Sequence, residues 1–275
     1  MRSRIFPITD DHIHFDPVNG RGVEAAKDFL HSGGTHMFLV SKPSWSLGIA
    51  PTCGVDYVKV FDETLRVAGM IRETGLIVFP ILGVHPAEIS RLVERMTLSE
   101  AVRVMKGGLD CASDYVRDGR AVALKSGRPH YEVSPEVFAA SNEVLSHALE
   151  LAAGCQCALQ IHAESGPCAD VVDMADAAGM PVGRVVKHYG SPETPLHPSL
   201  VARHEAVPVL ARERRSFTME SDFMDENSRP GAVTGPKSVP RITKKLLESD
   251  VITEDDCWRI HGETPEKVYG VRITL

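Results

Sequence analysis

Along the chain, short apolar runs alternate with longer stretches whose apolar residues recur at helical spacing. The first run leads out of the N-terminus into Asp11-His12-Ile13-His14-Phe15-Asp16 and reads as a strand. Gly22 to Leu30 has helical spacing and is stopped by Gly33-Gly34. His36-Met37-Phe38-Leu39-Val40 suits a fully buried parallel strand. Asp56 to Glu73 reads as an amphipathic helix with Val60, Leu65, Ala68 and Ile71 on its apolar side, and Leu76 to Val84 as the third strand. A helix from Leu98 to Asp118 then precedes strand four, Ala121 to Lys125.

Ser134-Pro135-Glu136 opens a helix running to Ala153, with proline in the first turn, where no backbone donor is lost. Strand five is Cys157 to His162, the next helix Pro167 to Ala178, and strand six Arg184 to His188. Strand seven falls within His197 to Ala202 and is followed by a short helix to Arg215; strand eight is Phe217 to Asp222. The Pro/Gly-rich stretch Phe223 to Pro240 reads as a loop over the mouth of the sheet, before a helix starting near Arg241. Eight strands alternating with helices predict an α/β fold, a (β/α)8 TIM barrel, as one domain over residues 1–275.

Composition narrows this picture without changing it. With 43% hydrophobic residues the chain can bury a large core. A net charge of −7 argues against a broad basic footprint for duplex nucleic acid, although bound divalent cations could supply local positive potential. Six cysteines without a CxxC pair read as reduced thiols. No signal-peptide pattern precedes Asp10-Asp11, and the longest apolar run is far short of the ~20 residues that span a bilayer. The expectation is a cytoplasmic protein that does not engage membranes, with no protein partner evident.

The strand ends carry the chemistry. His12 and His14, two apart on a strand, project to one face, where paired imidazoles suit a divalent metal. Strand three ends in His85, four in Lys125, five in His162, six in His188 and eight in Asp222. In a parallel barrel these ends share one rim, where active sites lie. Packing alone poorly explains such a set, so a metal site is expected there. The segment Ser44 to Val55 and the last loop are long enough to shape a pocket.

The DxHxH of strand one, Gly83-Val84-His85-Pro86, Ile161-His162, Lys187-His188-Tyr189, Glu220-Ser221-Asp222 and the segment Pro265 to Gly270 together resemble the TatD-like metal-dependent hydrolases of the amidohydrolase superfamily. The resemblance covers nearly the whole chain. It implies a TIM-barrel phosphodiesterase, often a deoxyribonuclease, that uses two divalent metals (Zn, Mn, Mg, Ni or Fe). His12 and His14 would bind one metal, and His162 and His188 the other. Asp222 would ligate metal and handle the proton of the attacking water, and His85 would assist near the substrate phosphate. The substrate class is a nucleic-acid or small-molecule phosphodiester.

One departure stands out: Lys125-Ser126-Gly127 replaces the family's bridging glutamate. A free ammonium between two divalent cations is electrostatically untenable. Either Lys125 is a carbamate formed from carbon dioxide, which restores a bridging carboxylate, or it is a cation that replaces the second metal or contacts substrate. Arg128 and His130, on the loop after strand four, could bind a substrate anion or be solvated. Lys42 ends strand two at the same rim, Arg229 and Lys237 lie on the last loop, and Lys187 should point away from the metals. Glu220, one layer below Asp222, reads as a partner of a ligand. The rival activities are hydrolysis of a lactone, amide, cyclic imide or phosphotriester, and a polymerase-and-histidinol-phosphatase type barrel, which also opens with HxH. A catalytically silent barrel acting as a binding module is the non-enzyme rival.

Overall fold

The computed structural model describes residues 6–228 and 234–275. Its elements run β1 (Thr9–His14), α1 (Val23–His31), β2 (His36–Val40), α2 (Val58–Arg72), β3 (Ile77–Gly83), α3 (Glu88–Leu92), α4 (Leu98–Arg117) and β4 (Ala123–Gly127). They continue as α5 (Pro135–Cys155), β5 (Ala158–His162), α6 (Asp170–Ala177), β6 (Val185–Lys187), β7 (His197–Val201), α7 (Val207–Arg212) and β8 (Thr218–Glu220). Last come β9 (Phe223–Met224), α8 (Ser238–Glu248), α9 (Glu254–Trp258) and α10 (Thr264–Tyr269). Every pairing is parallel, in the order β8-β7-β6-β5-β4-β3-β2-β1-β9. Among the described residues no helix is long and apolar enough to cross a membrane.

The ring closes through a break in the last strand. β8 pairs with β7, whereas β9, two residues later, pairs with β1 through Ile13 and His14. Asp222 sits at the break with φ 48°, and its N–H donates to His12 O at 3.0 Å. The sequence reads Phe217 to Asp222 as one strand because its alternation runs through unbroken. The left-handed turn at a non-glycine residue leaves no such pattern. Strand closure gives the (β/α)8 TIM barrel.

Period-two alternation decides which side chains enter the barrel. Leu39, Leu124, Leu159 and Ile161 pack outward against helices. Phe38, Val40, Ile81, Ala123, Ala158 and Val186 face inward and meet Val268 and Tyr269 of α10, which plug the lower end. The next inward residues toward the rim are therefore Lys125, Gln160, His162 and His188. β4 runs on to Gly127, two residues beyond its expected end, so Lys125 lies one layer below the rim instead of on it.

Glycines let the strand ends crowd together. Gly83 pairs with Lys125, and Gly127 with His162. A Cβ on Gly83 would collide with the Lys125 carbonyl and one on Gly127 with the His162 carbonyl; Gly127 also has φ 143°. β3, β4 and β5 consequently approach closely where the site is built.

Candidate metal centre

A cavity of about 260 Å³ opens at the carboxyl ends of the strands. His12, His14, His85, Lys125, His130, His162, His188 and Asp222 all line it. Pro43, Trp45 and Ser46 from the segment after β2, Ala87 after β3, and Met224 and Glu226 after the strand-eight break form the rest of its wall.

The hydrogen bonds fix which nitrogens are free to coordinate. Gln160 Nε2 lies 2.7 Å from both Asp11 O and Tyr269 Oη, so its Oε1 faces His12 and accepts from Nδ1 at 2.8 Å. His14 Nδ1 donates to Val40 O at 2.8 Å. Both histidines thus keep a lone pair on Nε2, and these two nitrogens stand 3.0 Å apart. Two lone pairs cannot hydrogen-bond to one another. Nitrogens that share an ion at ~2.1 Å with a near-right angle lie about 3 Å apart, so the bite suits a metal. Burial holds both imidazoles well below their usual range, and the neighbouring charges of Lys125 and His188 push the same way, so they are neutral and competent to coordinate.

His188 stacks on His12 with ring centroids 3.7 Å apart. Its Nδ1 lies 2.9 Å from Glu220 Oε1 without forming a hydrogen bond. The opposite nitrogen, Nε2, lies 3.8 Å from Asp222 Oδ1. His12, His188 and Asp222 each offer a ligand atom, all within 4.8 Å of one another. Glu220 is itself held by Ser199 Oγ at 2.6 Å and the Tyr189 N–H at 2.9 Å. It contacts the distal side of a histidine instead of facing the cavity, an arrangement that orients metal-binding imidazoles. The donor set therefore fits divalent cations.

Lys125 is buried, its Nζ 3.4 Å from His12 Nε2, and it forms no ion pair among the described residues. Burial lowers its pKa to about 8, although Asp222 and Glu220 pull the other way. On the opposite wall, His85 and His162 have ring centroids 4.8 Å apart, and His162 Nε2 lies 2.7 Å from His130 Nδ1. His85 Nδ1 accepts from the Ala87 N–H at 3.1 Å, which leaves its Nε2–H as a donor.

Other expected residues are engaged elsewhere. Arg128 does not reach the cavity: its buried guanidinium grips Glu164, Asp170 and Asn142, so the expectation that it binds a substrate anion is corrected. Lys42 pairs with buried Asp16 at 2.6 Å and Lys237 with Asp28 at 3.0 Å, so neither is a free phosphate contact. Arg229 lies outside the described residues. Lys187 turns away from the centre and donates to the Ala163 and His188 carbonyls. Sequence reasoning overlooked Gln160, although it lies two residues before His162 on the same strand face. Trp45 and Met224 left no comparable signal.

The TatD related DNase family matches residues 9–270. An uncharacterized protein of Methanocaldococcus jannaschii is 34% identical over 281 residues, covering 98% of each chain. The crystal structure of a TatD homologue from Escherichia coli K12 superposes with TM-score 0.62 at 15% identity, over 96% of this chain and 98% of its own. A PTE-like lactonase mutant from Deinococcus radiodurans superposes with TM-score 0.59 at 13% identity, over 96% of both chains. These two likenesses concern the fold. With the family match spanning the whole barrel and its imidazoles gathered at one mouth, the chain belongs to the TatD related DNase family and is a metal-dependent hydrolase.

Proposed function

We propose that the protein cleaves phosphodiesters at the ends of single-stranded nucleic acid, using two divalent cations that a carbamate of Lys125 would help to hold. The observation that carries the cation reading is the pair of Nε2 lone pairs of His12 and His14 facing each other at 3.0 Å. A cavity of about 260 Å³ suits a terminal nucleotide better than a duplex, and a net charge of −7 argues against a broad basic footprint for one. His12, His14 and Asp222 would hold one cation, and His162 and His188 the other. Cations bound there supply Lewis acidity and lower the pKa of water.

The side chains do the rest. Asp222, its carboxyl pushed up by burial, takes the proton of the attacking water and returns it to the leaving alkoxide. His85 Nε2–H donates to a phosphate oxygen. The neutral amine of Lys125 adds carbon dioxide, forming an N–C bond and releasing a proton, and so supplies a carboxylate in place of the family's glutamate.

That same lysine favours a second reading, hydrolysis of a lactone, amide or phosphotriester, and the lactonase shares the fold. The test is a panel of single-stranded oligonucleotides, phosphodiesters, phosphomonoesters, lactones, amides and phosphotriesters with Mn, Zn, Mg, Ni or Fe. Phosphodiesters should turn over best, and Asp222→Asn should lose about 10²–10⁴-fold. Preferred cleavage of a carbonyl compound would select the second reading. Bound metal without any turnover would select the silent binding module, and full activity in Asp222→Asn would remove its assigned role.

A further inference from the structure

The loop after β4 brings an additional imidazole to the centre. His130 Nδ1 stands 2.7 Å from Nε2 of His162, with ring centroids 4.7 Å apart. This contact is built by several independent anchors. Gly127 allows β4 to press against β5 at His162, and the Arg128 N–H donates to the His162 carbonyl at 2.8 Å. The Arg128 guanidinium then grips Glu164, two residues beyond His162. On the far side, Tyr131 Oη bonds to Ser90 Oγ of α3 at 2.7 Å, and α3 begins just after His85. Both sides of the short loop are thus tied to the segments carrying His162 and His85.

Nε2 of His162 is the nitrogen aimed at His130, and both residues line the cavity. If His162 gives that lone pair to a cation, it can no longer accept from His130. The cation then lies beside His130 Nδ1, which must either withdraw or coordinate. A separation of 2.7 Å is within a few tenths of an ångström of the about 3 Å expected for two nitrogens on one ion. His12 and His14 make a matching bite across the cavity at 3.0 Å.

We propose that His130 is a ligand of the second cation, which it shares with His162. This deepens the two-cation reading and rests on it. His130 is exposed and packs little, so its replacement should leave the barrel intact, which circular dichroism and thermal unfolding would verify.

The test is titration of the metal-free chain with manganese and with zinc by calorimetry, followed by metal analysis after dialysis. His130→Ala should weaken one of the two cations at least tenfold and spare the other; His162→Ala should weaken the same one. In the zinc-loaded wild type, long-range nitrogen–proton NMR should show the Nδ1 resonance of His130 moved to a coordinated position, and His130→Gln should lack it. Unchanged affinities in His130→Ala, or an Nδ1 resonance indifferent to zinc, would overturn the ligand role while leaving the two-cation reading standing. A wild-type chain that binds neither metal would sink both.

Discussion

A lysine sealed beside two imidazoles can remain an amine or become a carbamate, and its protonation governs the choice. Burial lowers the pKa of Lys125 to about 8, so the reactive neutral form grows about tenfold per pH unit up to that value and levels off above it. Activation of metal-free protein by cation plus a fixed concentration of dissolved carbon dioxide should therefore accelerate from pH 6 to 8 and then plateau. Stopped-time activity assays measure that rate, and carbon-13 NMR with labelled bicarbonate reports the adduct directly. Lys125→Glu should bind two cations without bicarbonate, whereas Lys125→Ala should bind fewer. A pH-independent rate with no labelled adduct would leave Lys125 as an ordinary amine. Glu220 acts one contact further out, against His188 Nδ1. Glu220→Gln should cost about 10–100-fold in metal affinity, read by chelator competition, since a cation on His188 favours an ionised carboxylate behind the imidazole and an amide cannot ionise. The sequence placed Glu220 below Asp222 because strand periodicity is local. It missed Gln160 because the role of an amide depends on the Asp11 carbonyl and Tyr269 hydroxyl beside it, both supplied from distant parts of the chain.

Strands and their connecting turns determine whether those side chains meet at all. β4 and β5 converge because Gly127 has no Cβ, and Arg128 locks the following loop onto Glu164 and Asp170. Gly127→Ala should destabilise the chain by at least ~3 kcal/mol, visible in the urea midpoint, because the added methyl meets backbone at a positive φ. Arg128→Met breaks a buried guanidinium pair, a change costing about 3–5 kcal/mol when both partners are buried. Glu164 and Asp170 keep side-chain exposures of 36% and 57%, so ~1–3 kcal/mol is the expected loss here. A variant of unchanged stability with a raised KM would instead return Arg128 to the substrate. The main strands and longer helices are legible in the sequence because each has its own hydrophobic period. The break that separates β8 from β9 is not, since Asp222 takes its left-handed turn to reach His12 O, a partner on the first strand. The short helix α3 is also silent, being held by Glu88, whose carboxylate accepts from the Ser44 N–H and hydroxyl.

At the scale of the whole molecule, closing the ring buries many ionisable groups, and their linkage sets the pH at which the metal-free chain is most stable. Burial holds His12, His14, His36, His85, His162, His188, His197 and His261 below their ordinary value. Unfolded histidines bind protons below about pH 6.5 whereas these eight do not, so they make stability rise with pH through the acid range and level off near 6.5. Burial acts oppositely on carboxyls: Asp10 and Glu220 rise to about 8 and Asp11 to about 7. Folded, they keep protons that the unfolded chain has released by about pH 5, so they make stability fall from there to about pH 8. Glu88 and Asp222 are raised as well. Eight histidines outweigh these carboxyls below about pH 6.5; above it the carboxyls lower stability until the Lys125 amine, released near pH 8 in the fold and at higher pH in the unfolded chain, begins to oppose them. The thermal midpoint of the chelated protein should therefore peak near pH 6.5 and decline toward pH 8. Divalent cations compete with protons for Asp222, so loading should raise the midpoint and move its peak to the alkaline side. Calorimetric scans from pH 5 to 9, with and without metal, measure both shifts; a chelated protein whose midpoint climbs steadily to pH 8 would show that the buried carboxyls are already ionised in the fold.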